Sequence, residues 1–350
     1  MALSPQKFRK QLLCWYQSQK RDLPWRKFKD PYAIWLSEIM LQQTTVATVI
    51  PYYNRFLRKF PTLKSVAQAP IEELLKLWAG LGYYRRIRHF HESAQKIFHQ
   101  HDGKIPSTKE ALKNLKGLGE YTASAIASIA FGEPVAVVDG NVIRVMARLF
   151  AIHESVDSLN VQKNIAIKAQ KLLDKNNPGD FNQAMMELGA TVCTPSNPKC
   201  LLCPVLKGCA AFKEGRPESY PVKGKKMAYV KEHSMALVVE HEGCFLMRQR
   251  TKKEIMEGLW EVPTQVCEGA PSLKAVKQWI EDLNLPLNFE PALMRPVSHA
   301  IMNRRMQIRP FKLVLSNRPK NLVKDWHWVS VWQKNELPLS TVTKKILKDI

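Results

Sequence analysis

The stretch Leu115-Lys116-Gly117-Leu118-Gly119-Glu120-Tyr121-Thr122-Ala123 decides the fold of the first 210 residues. Two glycines form a tight turn between a helix ending near Leu115 and the apolar run TASAIASIAF (122–131). Glycine here lets backbone N–H groups approach a phosphate at the next helix N-terminus. Such a hairpin of helices, near 112–130, would hold a DNA backbone without reading its sequence; taken alone, the pattern suits an ordinary turn equally well. The flanking chain is helical too. Asp30-Pro31 is a helix start, and YAIWLSEIMLQQTTVATVI (32–50), which has no turn residue, follows it with helix-like spacing. Pro70 opens the helix IEELLKLWAG, which stops at Gly80. Ser107 and Glu110 form a capping box for TKEALKNL, and Asp180 caps FNQAMMEL, which Gly189 ends.

From about residue 213 the texture changes. KEGRPESYPVKGKKMA (213–228) is rich in Lys, Pro and Gly and reads as a linker. Beyond it SMALVVE and CFLMRQR flank the hairpin signal His241-Glu242-Gly243. RMQIRPFKLVLS and WHWVSV are further strands, and SLKAVKQWIEDLNL is a helix. The chain is therefore multidomain: an all-α domain over 1–212, a linker over 213–228 and an α+β domain over 229–350.

Composition bounds what such a chain can do. Its 350 residues are 45% apolar and 24% charged, the balance of a globular protein. No apolar run reaches the roughly 20 residues of a membrane span, and MALSPQKFRKQLLCWYQ lacks the features of a signal peptide. These features predict a monomeric, intracellular protein of a bacterial cytoplasm, with no membrane partner. Lys and Arg number 53 against 31 Asp and Glu, a net charge of +22 that favours a polyanionic partner. Residues 1–210 carry +13 and the remainder +9, so both parts are basic. Arg85, Arg86, Arg88, Lys223, Lys225 and Lys226 are the expected phosphate contacts.

Cys193, Cys200, Cys203 and Cys209 fall within 17 residues. Four thiolates at that density suit a zinc ion or a [4Fe–4S] cluster, and spacing alone does not separate the two. Cys14, Cys244 and Cys267 read as small core residues. Two carboxyls stand out. Glu38 sits inside an apolar helix, where burial would raise its pKa into the range of a general acid. Asp139 ends the apolar run VAVV ahead of Gly140-Asn141, where it also suits a helix cap. One apolar and one hydrogen-bonded carboxyl are the usual division of labour for cleaving a glycosidic bond.

Taken together, LPWR (23–26), SEIMLQQT (37–44), GLGYYRR (80–86), LKGLGEYTA (115–123), VDGNVIRV (138–145), NQAMMELGA (182–190) and the cysteine loop (193–209) resemble the adenine DNA glycosylases of the MutY type. These belong to the helix-hairpin-helix family that includes endonuclease III. The resemblance implies a [4Fe–4S] cluster on the four cysteines. It implies a monofunctional excision of adenine opposite 8-oxoguanine or guanine, because Tyr121 stands where the bifunctional enzymes carry a lysine. Glu38 would protonate adenine N7, and Asp139, ordered by Tyr121 and Asn141, would face the sugar. Glu187 would read the amino edge of adenine, with Trp25 and Arg26 lining the base pocket. Gln43 and Tyr83 would wedge into the stack, Thr44 and Leu81 would approach the opposite strand, and Gly117 and Gly119 would hold the backbone. Residues 229–350 resemble a MutT-like lesion reader through GLWEVP (258–263) and Ser298-His299. Val297 departs from the aromatic residue that usually precedes Ser-His. The competing readings are a bifunctional glycosylase/lyase and a non-catalytic iron–sulfur DNA-binding protein.

Overall fold

The computed structural model describes residues 3–224, 228–251, 254, 256–287, 290–301, 303–319 and 325–348. Its contacts divide the chain into two units, one of residues 1–68 and 89–225 and one of residues 69–88 and 226–350. The boundary differs from the sequence reading. The segment 69–88, expected inside the helical domain, groups with the C-terminal residues.

The first unit is helical: α1 (Pro5–Gln19), α2 (Pro31–Leu41), α3 (Val46–Lys59), α4 (Leu63–Gln68), then, beyond α5 of the other unit (Ile71–Trp78), α6 (Arg85–Gln100), α7 (Lys109–Lys113), α8 (Glu120–Phe131), α9 (Gly140–Leu149), α10 (Leu159–Leu172), α11 (Pro178–Thr191) and α12 (Ala210–Lys213). Asp30 caps α2 as its sequence predicts, accepting from the Tyr32 N–H at 3.1 Å. The single helix expected over 32–50 is broken at 42–45. Gln43 turns through φ +57°, and Thr45 has extended backbone that starts α3. The β-branched pair Thr44-Thr45 favours that break over a continued helix. Thr108, one residue beyond the expected Ser107, caps α7 by accepting from the Ala111 N–H at 3.3 Å. Helix α11 begins two residues before Asp180, at Pro178, and runs past Gly189 to Thr191.

The hairpin between α7 and α8 forms where the glycines require it. Gly117 has φ +83°, and a Cβ there would stand 2.6 Å from His89 Cβ, so both backbone and space select glycine. Gly119 is the N-terminal cap residue of α8. A core of Phe8, Leu12, Tyr16, Met146, Phe181 and Met185 joins α1, α9 and α11. The expected linker is structured in its first part. Tyr220 is buried in that same core, the Val156 N–H donates to Val222 O at 2.9 Å, and the Gly224 N–H donates to Asp157 Oδ2 at 2.7 Å. Lys225 and Lys226 lie outside the described residues. Cys14 is exposed and Cys244 half-buried, whereas Cys267, also half-buried, packs against a core of the second unit as expected.

The second unit contains a mixed sheet of eight strands: β1 (Val230–His241), β2 (Cys244–Gln249), β3 (Trp260–Glu261), β4 (Thr264–Cys267), β5 (Ala292–Leu293), β6 (Val297–Ile301), β7 (Arg304–Val314) and β8 (Trp326–Ser330). Left-handed Glu242 and Gly243 close the β1–β2 hairpin at the predicted place. β1 and β7 run parallel from Val230↔Arg304 to Glu240↔Val314 at the sheet centre. Alternation along β1 sends Met235, Leu237 and Val239 to one core with α13 (Leu273–Asp282), and Ala236 and Val238 to the other. The second core includes Val342 and Ile346 of α15 (Thr341–Ile346), which follows α14 (Val331–Glu336). No helix among the described residues is long and apolar enough to cross a membrane.

Candidate active site

Helix α2 buries every residue from Tyr32 to Met40, because both of its faces pack against neighbouring helices. Glu38 is thereby carried into the interior at 5% exposure. The Tyr121 hydroxyl, from the first turn of α8, donates a short hydrogen bond to Glu38 Oε2 and lies 3.8 Å from Met186 Sδ. Burial pushes the Glu38 carboxyl up to about 7. The nearby Asp139 charge adds to the rise, and the Tyr121 bond and Arg26 oppose it. Tyr121 itself stays neutral, held well above its ordinary value by burial and the neighbouring carboxyls.

Asp139 performs both roles its position allows. It caps α9, Oδ1 accepting from the Val142 N–H at 2.7 Å, and Oδ2 accepts from Asn141 Nδ2 at 2.8 Å. Burial raises its carboxyl, and these hydrogen bonds pull it back. Arg144 extends the network by donating to Asn141 Oδ1 at 2.9 Å, Gly189 O at 2.7 Å and Cys193 O at 2.7 Å. A Cβ on Gly189 would stand 2.6 Å from Asn141 Cβ, so glycine is what lets α11 approach α9. Gly189→Ala is expected to displace Asn141 and Asp139, at a cost of about 1–3 kcal/mol in stability and about tenfold or more in turnover. Thermal melting and single-turnover rates on a mispaired duplex check it.

Glu187 on α11 is fully buried. Arg21 reaches it with its backbone N–H (3.1 Å), Nε (2.7 Å) and an Nη (2.9 Å), and Arg26 with an Nη (2.8 Å). Burial alone would raise this carboxyl, but the two guanidiniums hold it down to about 2. Four donors occupy the roughly four acceptor positions of a carboxylate. Glu187 is therefore ionised and engaged, and an incoming amino group must displace a donor, most easily from the half-exposed Arg21.

Trp25, Arg26, Glu38, Thr44, Tyr121, Asp139, Asn141 and Glu187 line one cavity of about 260 Å³, with Arg21, Gln183 and Met186. Eight of the expected site residues thus meet in one place. Gln43 lies outside it, exposed on the α2–α3 turn. Arg21 and Arg144 were missed. Arg144 had a signal, since Arg144 and Arg148 recur four apart on a largely apolar helix ahead of the cysteines; Arg21 had none.

The cysteine loop is organised by Arg148, which is 2% exposed. Its guanidinium donates to the carbonyls of Thr194 (2.7 Å), Pro195 (3.0 Å) and Tyr220 (3.0 Å) and lies 3.3 Å from Cys193 Sγ. Burial pushes the Cys203 thiol up to about 12, with smaller rises from Cys193, Cys209 and Cys200, which therefore lie close to it. Among the described residues no three His, Cys, Asp or Glu side chains stand close enough to share a single metal ion. Four clustered thiols beside a buried guanidinium that is turned to carbonyls fit a larger, anionic group.

In the second unit Tyr84 packs inward, its hydroxyl accepting from the Gly80 N–H at 3.2 Å, whereas Tyr83 is 51% exposed at φ +50°. Leu81, expected to approach DNA, is buried at 6% exposure. Arg86 and Arg88, expected as phosphate contacts, are turned onto protein carbonyls at Gly82 (3.0 Å) and Glu257 (2.9 Å), and Arg85 is exposed. Ser298 and His299 are adjacent on β6 and so project from opposite faces of the sheet. Ser298 donates to Gln307 Oε1 at 3.0 Å, and burial lowers the His299 pKa. The pair therefore cannot present both side chains to one edge of a ligand on this strand, contrary to its joint use in the sequence reading.

Comparison with known proteins places this geometry. Residues 36–174 match the family described as HhH-GPD superfamily base excision DNA repair protein, and residues 234–349 match the NUDIX domain. The adenine DNA glycosylase of Rattus norvegicus is 37% identical over 97% of this chain and 77% of its own length. That of Buchnera aphidicola subsp. Schizaphis graminum is 31% identical over 97% of this chain and 98% of its own. The chain belongs to the adenine DNA glycosylase family. A thermostable thymine-DNA glycosylase superposes on 60% of the chain with a TM-score of 0.55 and 31% identity, covering 97% of that structure. An endonuclease III–DNA complex, at 24% identity and a TM-score of 0.51, covers 61% of this chain and 98% of its own, and shares the fold.

Proposed function

We propose that this chain is an adenine-specific DNA N-glycosylase of base excision repair that removes adenine opposite 8-oxoguanine or guanine and leaves an abasic site. The observation that carries the reading is the pairing of Glu38 with Asp139 in one cavity. Glu38 is held protonated near neutral pH by burial, and Asp139 is braced by two hydrogen bonds.

A stacked base cannot reach this cavity, so the adenosine must be extruded from the duplex. Glu38 then donates its proton to N7, which makes adenine the better leaving group. Asp139 stabilises the oxocarbenium-like sugar by charge or by transient bonding until water adds at C1′, its proton passing to the Glu38 carboxylate, which leaves the abasic site. Tyr121 and Asn141 fix the two carboxyls. Glu187, held by Arg21 and Arg26, orients the amino edge, and Trp25 packs beside the base. Gln43 and Tyr83 fill the vacated stack, with Thr44 toward the opposite strand. Gly117 and Gly119 hold the backbone, and Ser298, on the exposed side of β6, belongs to the surface that reads the opposite base.

Among the described residues no lysine lines the cavity to form a Schiff base, so strand cleavage is not part of the reaction. Cys193, Cys200, Cys203 and Cys209 would hold a [4Fe–4S] cluster. A cluster closed by four thiolates is capable of electron transfer and leaves no open position for substrate. The working state is a monomer on double-stranded DNA, with the sequence division into 1–212 and 229–350 as its two functional parts.

A single-turnover assay on duplexes with adenine opposite 8-oxoguanine, guanine or thymine tests this reading. Adenine release with strand breaks only after alkali supports it. Breaks without alkali would favour a lyase, and binding without release a non-catalytic protein.

A further inference from the structure

Gly258 opens the GLWEVP segment with left-handed backbone, φ +76°. A Cβ there would stand 1.9 Å from an Nη of Arg88 and 3.5 Å from Leu75 Cδ1. Arg88 lies in the first turn of α6 and belongs, with Gly258, to the second unit. Its Nη2 donates to Glu257 O at 2.9 Å, and its Nη1 stands 3.6 Å from Glu257 Oε1. Its side chain is 19% exposed.

Two residues earlier on the same helical turn, Arg86 holds the turn that presents Tyr83. It donates to Gly82 O at 3.0 Å, and its guanidinium lies 5.3 Å from the Trp78 ring and 5.4 Å from the Tyr83 ring. Tyr83 is left-handed there at φ +50°, a conformation that a non-glycine residue keeps only where neighbours fix it. On the other side, the segment from Glu257 to Leu259 is fixed to the sheet rather than free. The Gly258 N–H donates to Arg250 O at 2.8 Å, the Arg250 N–H to Leu259 O at 2.9 Å, and Gln249 Nε2 to Gly258 O at 3.0 Å. The same sheet continues from β3 through β2, β1 and β7 to β6 and Ser298.

We propose that Arg88 is a positioning residue that latches the Tyr83 turn to the sheet carrying Ser298 and His299, so that the base read at the sheet sets how firmly the wedge is held. This rests on the reading of the C-terminal domain as the sensor of the opposite base. Arg86 and Arg88 share one rigid helical turn, and a displacement of the sheet at Glu257-Gly258 must move that turn or break the latch. The glycine of GLWEVP is then explained as the space for a guanidinium.

Arg88→Met and Gly258→Ala in the full chain test the latch, with Ser298→Ala/His299→Ala as the control for the reading it rests on. The readouts are single-turnover adenine release opposite 8-oxoguanine and opposite guanine, and fluorescence of 2-aminopurine beside the mispair, which reports opening of the stack. Both latch variants are expected to lower the 8-oxoguanine-to-guanine rate ratio about 5- to 150-fold, the span of ordinary site-to-site coupling. The fluorescence change opposite 8-oxoguanine falls with it, and Arg88→Lys restores part of both. Melting temperatures separate this from misfolding, and Gly258→Ala carries the test if Arg88→Met does not fold. A ratio unmoved by both latch variants, or a uniform loss with both duplexes, overturns the latch even where the control lowers the ratio. A control that leaves the ratio unmoved overturns the reading beneath it.

Discussion

Glu38→Gln is expected to slow adenine release by about 10²- to 10⁴-fold in single turnover while retention of a mispaired duplex stays near that of the parent. Gln has the size of Glu and can still accept from Tyr121, so the cavity keeps its shape, but it has no proton to give. The parent enzyme's alkaline limb follows from the same carboxyl. Burial holds it at about 7, so the rate falls as pH rises through about 7. Stability moves in the same direction. The folded value lies above the ordinary 4.5, so the stability contributed by the neutral buried carboxyl is complete below about pH 4.5 and is lost as pH rises through about 7. Glu38→Gln removes that loss. Denaturant melts at pH 6 and pH 9 should show the parent weakening more than the variant. A variant with parental release, or a parental rate that climbs through pH 7 to 9, contradicts the assignment.

Arg148→Met carries the second large effect. The guanidinium satisfies three carbonyls of the 193–220 region from the buried face of α9. Methionine keeps much of the stem and leaves these three acceptors without their donor, the Tyr220 carbonyl in a buried position. Leaving a buried carbonyl without its donor costs about 1–3 kcal/mol, to which the weakened loop adds. The expected result is a lower melting temperature with early proteolysis between 193 and 220. The fragment pattern is the deciding measurement, since cleavage elsewhere at the same temperature would place the weakness outside this loop.

The helical first unit was legible in the sequence because its signals are local. Asp30-Pro31, the glycine pair 117 and 119 and the carboxylate before Asn141 each fix backbone within a few residues. The break at 42–45 was not legible, because the β-branched pair Thr44-Thr45 that favours it lowers helix propensity only slightly. The carboxyl pair at 38 and 139 could be read from an anomalous charge in an apolar run. Arg21 could not be weighed the same way, since an arginine in a polar stretch looks like any other until its partner, 166 residues away, is known. Residues 69–88 joined the C-terminal unit through Arg88 and Gly258, contacts that no local pattern announces. The opposite facing of Ser298 and His299 follows from strand periodicity once that segment is placed in β6, which Pro296 and the preceding loop concealed.

Gln43 and Tyr83, the two side chains assigned to the opened stack, are both non-glycine residues on left-handed backbone, at φ +57° and +50°. Asparagine adopts that conformation more readily than either. Each site therefore withholds on the order of 1 kcal/mol from the fold. A lineage drifting under demand for heat resistance alone would tend to exchange these two residues early. It would gain a sturdier protein that melts later and searches DNA as before, and it would lose the means to keep a gap open.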